Sequence, residues 1–237
     1  MPFFAVEQKN DDFMQQSRLW VFFGAALLSL IAGYVNVVML SFFAVPVSHM
    51  SGAVSHLSIV LTDVGLKDLL LVTSIVIGFF SGALVSGIIL RDTLFRMRRR
   101  YGAMLLIEGL LLLVTMFLAL KGFKAAVPLA AMACGLQNAM ASSYRGLTLR
   151  TTHVTGIVTD LGALLGNRLQ GREVKSWKFG LLLSVLIAFF VGGMVGALLL
   201  SLFGMWALGV ASGLCLISGV IVIFIAMATG VREHSSW

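Results

Sequence analysis

The chain alternates long apolar stretches with short polar links. A helix needs roughly 20 apolar residues to cross the hydrocarbon core of a bilayer. Stretches near that length lie at about 20–43, 68–90, 102–120, 126–143, 179–201 and 204–228. The pattern therefore predicts an all-α integral membrane protein with six transmembrane helices.

Two shorter apolar stretches, 50–63 and 154–166, follow the first and the fourth span directly and are too short to cross a bilayer. Pro46 stands between the first span and its short stretch. Proline lacks a backbone donor and disfavours helix in the residue before it. We therefore expect the chain to break there and to restart near His49 or Ser51 as a broken or re-entrant half-helix.

The polar residues around these breaks occur twice along the chain. The motif Gly33-Tyr34-Val35-Asn36 returns as Gly135-Leu136-Gln137-Asn138, and His49-Met50-Ser51-Gly52 returns as His153-Val154-Thr155-Gly156. The duplication predicts two structural repeats, and duplicated membrane proteins with such polar breaks are often transporters.

The repeats divide the chain into four parts. Residues 20–120 form repeat 1 with its half-helix, and residues 121–228 form repeat 2 with the other. Residues 1–19 and 229–237 flank them and are expected to be cytoplasmic.

Composition and charge support this organisation. Hydrophobic residues make up 59% of the chain and charged residues 11%, against about 25% charged in soluble domains, so an ordinary soluble domain is excluded. The net charge of +7 comes from Lys and Arg that crowd the links 91–101 and 144–178. Because cytoplasmic loops are rich in these residues, both links and both termini should be cytoplasmic. This charge therefore indicates the orientation of the spans, and we expect no nucleic-acid partner.

Three spans in each half have a topological consequence. An odd number of spans makes the second half enter the membrane from the opposite side. The two three-helix repeats are therefore predicted to be inverted, with a pseudo-two-fold axis in the membrane plane.

The short helices carry the candidate site. His49, Gly52 and His56 stand at positions i, i+3 and i+7, hence on one helix face, and the second half repeats this spacing. Helix N-termini favour an anion or a polar oxygen. The candidate substrate-binding residues are Asn36, His49, Ser51, His56, Asn138, His153, Thr155 and Asp160. We expect the histidines, Ser51, Thr155 and Asp160 to converge near the centre of the protein, with Asn36, Asn138 and Glu108 close by. The alternative is that these groups only hydrogen-bond helices together.

Glu108 lies well inside the third span. A carboxylate there is costly unless it is partnered, so Glu108 is a candidate for carrying a coupling proton. Two histidines and an aspartate also suggest a metal, but ligands seven residues apart on one helix lie about 10 Å apart. We therefore expect no metal and no cofactor.

Glycines spaced four apart occur on the second and fifth spans, as Gly78 with Gly82 and Gly192 with Gly196. Such small-residue spacing is typical of close helix packing. These two spans are expected to contact each other, or to contact a second subunit in a homo-oligomer.

These features favour a transporter or channel for a small polar or anionic solute, with its site between two opposed half-helices. A non-transporting scaffold or assembly protein is the first alternative. A membrane-embedded enzyme is the second, although no nucleophile–base arrangement or phosphate-binding loop is visible.

The same motifs resemble those of the YoaK-like family of bacterial membrane proteins, a family of unknown function. The block from Thr151 to Leu161 is the most specific part, and the resemblance extends over most of residues 20–228. The chain has Ala53 where that family usually has Asn. The resemblance implies a six-span protein of the bacterial inner membrane and implies no activity.

Overall fold

A computed structural model of the chain describes residues 2–44, 46–62, 66–90, 99–140, 143–144, 147–148 and 150–228. Within these residues the protein is almost entirely helical. The eight α-helices are α1 (Pro2–Phe43), α2 (Met50–Thr62), α3 (Leu66–Leu90), α4 (Arg99–Leu120), α5 (Ala126–Met140), α6 (Val154–Leu169), α7 (Ser176–Phe203) and α8 (Leu208–Ala228). A 3₁₀ turn at Gly204–Ala207 joins α7 to α8. Two-residue strands β1 (Ser143–Tyr144) and β2 (Leu147–Thr148) pair antiparallel between α5 and α6.

Several helices are long and apolar enough to cross a membrane. Among the described residues these are Leu19–Phe43, Asp68–Leu90, Arg99–Leu120 and the 53-residue stretch Ser176–Ala228, which contains both α7 and α8. Helix α5 has 15 residues, fewer than the roughly 20 that a perpendicular span requires. The chain is thus a helical protein of the multi-pass membrane type.

The helix boundaries agree with the sequence pattern except at the N-terminus and at the fourth span, which was predicted over 126–143 and is the shorter helix α5. Both short helices appear where the pattern predicts them, as α2 and α6. Residues 2–19, expected as a separate segment, instead continue into the first span as one helix from Pro2 to Phe43. No glycine or proline follows Pro2 in that segment, and its Glu, Gln, Lys and Met residues favour helix. The link 91–98 and the tail 229–237 lie outside the described residues.

Each half contributes its first helix to a pair with the other half. Helix α1 packs along α7, and α5 packs along α3. A Cβ on Gly33 in α1 would overlap the carbonyl oxygen of Phe189 in α7, and a Cβ on Gly135 in α5 would overlap that of Phe79 in α3. These two contacts are equivalent in the two halves. Gly33 matches Gly135 in the repeated motif, and Phe79-Phe80-Ser81-Gly82 returns as Phe189-Phe190-Val191-Gly192. Phe22 lies near Gly180 and Gly33 near Phe189, whereas Gly78 lies near Pro128 and Gly82 near Met132. Residue numbers rise together along both pairs, so both helix pairs are parallel.

The glycines of α3 and α7 make the same exchanged contacts. Gly82 lies against the backbone of Met132 in α5, and Gly192 lies against the backbone of Leu30 in α1. The prediction that α3 and α7 contact each other or a second subunit is therefore wrong for these glycine faces. They are already occupied inside one chain, by the first helix of the opposite half.

Helices α4 and α8, the last long helices of the two halves, pack antiparallel to each other. Gly102 near the start of α4 meets Gly219 and Ile223 of α8, and Gly109, two turns further along α4, meets Ser212 near the start of α8. The Ser212 hydroxyl donates a hydrogen bond of 2.7 Å to the carbonyl oxygen of Gly109. The principal apolar core forms among α1, α4, α5 and α8. The Tyr34 hydroxyl connects this core to the α7–α8 turn, because it donates a 2.7 Å hydrogen bond to the carbonyl oxygen of Ala207.

Candidate functional site

The repeated asparagines hold the chain where each helix breaks. The Ser48 hydroxyl donates a hydrogen bond of 2.7 Å to the side-chain oxygen of Asn36. In the second half, the backbone N–H of Thr152 donates to the side-chain oxygen of Asn138 at 3.4 Å. Both asparagines were predicted to bind solute. The structure shows them bound to the segment that leads into the short helix of their own half.

The break after α1 also contains an unusual backbone conformation. Ala44 has a φ of 57°, in the left-handed region that costs a residue with a Cβ roughly 1–2 kcal/mol. Pro46 follows two residues later and prevents helix from continuing. The turn into α2 is therefore strained and is held by the contacts around it, among them the hydrogen bond between Ser48 and Asn36.

A histidine ring covers the glycine in the first turn of each short helix. A Cβ on Gly52 would lie 2.6 Å from Nδ1 of His49, and a Cβ on Gly156 would overlap the ring of His153. The imidazole just before each short helix therefore occupies the space beside its glycine, and no neighbouring helix of the described residues enters there. Both glycines thus determine where the histidine ring lies.

The ionisable and hydroxyl groups of the short helices lie at the surface of the chain. The exposed members of the predicted site are His49, Ser51, His56, His153, Thr155 and Asp160. They were expected to converge near the centre of the protein, and the structure does not bring them together there. The reason is packing, since α2 lies on α3 whereas α6 lies on α7.

None of these six side chains hydrogen-bonds to another helix within the part of the chain that the structure describes. His49 Nε2 lies 3.1 Å from the hydroxyl oxygen of Ser51 in its own helix. The repeated polar motif therefore separates into two sets. The asparagines and Ser48 connect elements, whereas the groups on α2 and α6 remain available at the surface.

A buried polar network that the sequence analysis missed secures the second half. Gln137 donates a hydrogen bond of 3.1 Å to the carbonyl oxygen of Leu28 and accepts one of 3.3 Å from the Thr151 hydroxyl. The Ser29 hydroxyl donates to the carbonyl oxygen of Val185 at 2.8 Å. The signal for this network was available, because Gln137 is an amide inside an apolar stretch, where polar groups require partners.

Glu108 is buried among α4, α5 and α8, apart from the histidines. Its side chain is 2% exposed, and its Oε2 atom has no hydrogen-bond partner among the described residues. The thiol of Cys215 in α8 is its hydrogen-bonding neighbour, and Cys134 in α5 lies close enough to interact electrostatically. Its predicted proximity to the site residues on α2 and α6 is therefore not observed.

A cavity of about 280 Å³ opens between the α1–α2 break, α2 and α3. His56 and Asp68 supply its two ionisable groups, and Ala53, Val72 and Ile75 contribute to its apolar wall. Asp68 was not predicted as a site residue. At the start of a span it resembles the acidic residue that commonly stabilises a helix N-terminus.

The matching positions in the second half pack against α1. Ile157, Leu182 and Val185 stand where the first half has Ala53, Val72 and Ile75, and they form one apolar cluster with Val21 and Ala25 of α1. The two halves therefore differ at this place, although their helices exchange equivalent contacts elsewhere.

Among the described residues, no three His, Cys, Asp or Glu side chains gather closely enough to hold a metal ion. No curated protein and no solved structure matches the chain. The sequence pattern of one family, described as "Protein of unknown function (DUF1275)", matches residues 24–221. This uncharacterised family is consistent with the YoaK-like resemblance. Because the match covers most of the chain, the protein belongs to the DUF1275 family.

Proposed function

We propose that the protein is a six-span transporter or channel of the bacterial inner membrane for a small polar solute. Its two repeats are inverted, and both termini and both arginine-rich links face the cytoplasm. The short helices α2 and α6 present the groups that meet the solute.

Helix directions support the six-span arrangement. Helix α1 is parallel to α7, α3 is parallel to α5, and α4 is antiparallel to α8, as the glycine contacts require. Short turns join α4 to α5 and α7 to α8. If α1 runs from the cytoplasmic side to the outer side, α4 and α7 run the same way. Helices α3, α5 and α8 then run back towards the cytoplasm. This is the alternation of six spans, and it gives α1 and its counterpart α5 opposite directions.

The observation that carries the proposal is the division of the repeated motif into connecting groups and surface groups. A scaffold would keep its polar side chains between helices, where they strengthen packing. The asparagines do so, but His49, His56, His153 and Asp160 are exposed in helices of an otherwise apolar protein. Exposed ionisable groups at membrane depth require water or a solute, since lipid cannot solvate them.

Glu108 supplies a candidate coupling group. A buried carboxyl oxygen without a partner is costly in the membrane and is best satisfied by a proton. Because Glu108 lies between α4 and α8, a change in its protonation would act on the contact that joins the two halves.

Uptake into proteoliposomes tests this function. Vesicles containing the purified protein are incubated with a defined mixture of small amines, amino acids, carboxylates and polyols, and the trapped solutes are quantified by mass spectrometry. We expect at least one solute to enter faster than into protein-free vesicles. His153→Ala should abolish that difference, because it removes an exposed site group without disturbing the core.

Phe190→Ala is the matched control, because Phe190 is an apolar residue of α7 with 65% of its side chain exposed. It should leave uptake unchanged. Transport is refuted if no solute enters faster than into empty vesicles, or if His153→Ala lowers only the melting temperature.

A further inference from the structure

We propose that the cavity of the first half is a binding site for a small organic cation, an ammonium group on a short apolar body. This inference rests on the proposed function and names the solute class of that protein. The site consists of His56, Asp68 and the apolar wall that includes Ala53, Val72 and Ile75.

The charge of the cavity selects a cation. Asp68 is exposed and carries its carboxyl group at the edge of the cavity, and His56 is the other ionisable residue in the lining. A carboxylate repels an anion and attracts an ammonium group, which it binds through a charge-assisted hydrogen bond. The anionic solute expected from the helix N-termini therefore fits this cavity poorly.

The apolar wall selects an organic ligand over a bare metal ion. A tightly held metal ion requires four or more ligating groups, and this lining offers two ionisable side chains. Ligand sites in proteins are mostly apolar with a few placed polar groups, which is the composition of this cavity. Its volume of about 280 Å³ is suited to a small molecule.

Part of α1 packs on the second half at a place where α5 offers the first half no equivalent helix residues. In the second half, Val21 and Phe22 of α1 pack over the positions that match the cavity wall. Counting from Gly33 and Gly135, the residues that match Val21 and Phe22 are Phe123 and Lys124. Both precede the first residue of α5 and are exposed. The second half therefore has helix residues, Val21 and Phe22, packed on these positions, and the first half has no helix residues at the equivalent place.

The ionisable groups also differ between the halves. Asp160 matches His56, and Lys178 matches Asp68 by the spacing that relates Gly82 to Gly192. The second half thus has a base where the first half has an acid. In the first half the acidic residue stands at the start of the long helix that lines the cavity, whereas in the second half it stands on the short helix.

Three ligands with one carbon skeleton test the inference. The melting temperature of the full-length protein in detergent is followed by tryptophan fluorescence with butylammonium, butyrate or butanol at equal concentration. At about five times its Kd, a ligand that binds only the folded protein raises the melting temperature by about 2–4 °C. We expect this shift with butylammonium and none with butyrate or butanol.

Two variants locate the site. Asp68→Asn should weaken the affinity for butylammonium about five- to tenfold, whereas Glu173→Gln, the control at an exposed carboxylate between α6 and α7, should leave it unchanged. Ala53→Ile introduces the residue that the second half has at the matching position, Ile157. It should fill the cavity and abolish the shift while the unliganded protein remains folded.

A shift with butyrate, a shift with a divalent metal alone, or no shift with butylammonium overturns the inference. So does a butylammonium shift that survives both Asp68→Asn and Ala53→Ile. The two proposals fail separately. If a carboxylate is taken up but butylammonium does not bind, transport stands and the cation site is refuted. If butylammonium binding depends on Asp68 but no solute is taken up, the site stands and transport is refuted.

Discussion

Replacing Gly82 with alanine tests the packing that joins the two halves. Gly82 lies in α3 against the backbone of α5, and a Cβ there would overlap the carbonyl oxygen of Met132 and approach the amide nitrogen of Leu136 to 2.8 Å. Both are backbone atoms of a helix, so they cannot rotate away as the end of a side chain would. The alanine methyl group must therefore push α3 and α5 apart.

The expected loss follows from two opposing effects. Overpacking of a close contact costs about 1–3 kcal/mol, and the rigid backbone on the opposite side places Gly82 in the upper part of that range. Alanine favours helix over glycine by about 1 kcal/mol. The net destabilisation is about 1–2 kcal/mol, which lowers the melting temperature by about 2–8 °C.

Gly87→Ala is the matched control in the same helix. A Cβ at Gly87 meets no atom within 4 Å, so only the gain in helix preference remains. The melting temperature of this variant should stay constant or rise by up to about 4 °C. Both variants are compared with the unmodified protein in one detergent, by tryptophan fluorescence on heating.

The second half provides the corresponding variant. Gly192→Ala would bring a Cβ onto the carbonyl oxygen of Leu30, so it should destabilise the protein about as much as Gly82→Ala. The reasoning is refuted if Gly82→Ala behaves like Gly87→Ala. If only one of the two matching glycines is sensitive, the exchanged contacts are not equivalent.

Three further predictions concern other parts of the protein. Tyr34→Phe removes the hydrogen bond to the carbonyl oxygen of Ala207 and should cost about 1 kcal/mol, measured as a fall of about 2–4 °C in melting temperature; an unchanged value would show that this bond contributes nothing. Glu108→Gln keeps the shape of the side chain but removes the carboxylate, so the protein should stay folded while any uptake driven by a proton gradient is lost; uptake that still follows the gradient would exclude Glu108 as the coupling group. Cysteines at Arg98 and Lys121 should react with an impermeant maleimide from opposite sides of oriented vesicles, and reaction from the same side would contradict the inverted arrangement.

The positions of the helices were predictable because bilayer thickness and proline chemistry act locally. The apolar stretch at 102–120 lies within α4, and the break at Pro46 falls between α1 and α2. Helix partners were not predictable in the same way. In lipid, an apolar face that packs on another helix resembles one that meets acyl chains, so Gly82 and Gly192 indicated close packing without showing which helix approaches.

The candidate site was predictable only in part, for a related reason. The repeated motif located Asn36 and His49, but residue type alone did not separate a connecting amide from an exposed imidazole. The structure made that distinction, because Asn36 is hydrogen-bonded to Ser48 whereas the His49 side chain is exposed. Asp68 was missed because the cavity it lines forms where the α1–α2 break and α2 meet α3, and no local pattern around Asp68 predicts that packing.

The exchanged packing of α1 with α7 and of α3 with α5 has a consequence for biogenesis. While the ribosome is still synthesising the second half, α1, α3 and α4 already occupy the membrane without the helices on which each packs most extensively. Because these contacts join residues far apart in sequence, closure of the bundle is expected to be slow and late. The first half alone should accordingly be a substrate for membrane proteases, and two separately expressed halves should be recovered only together.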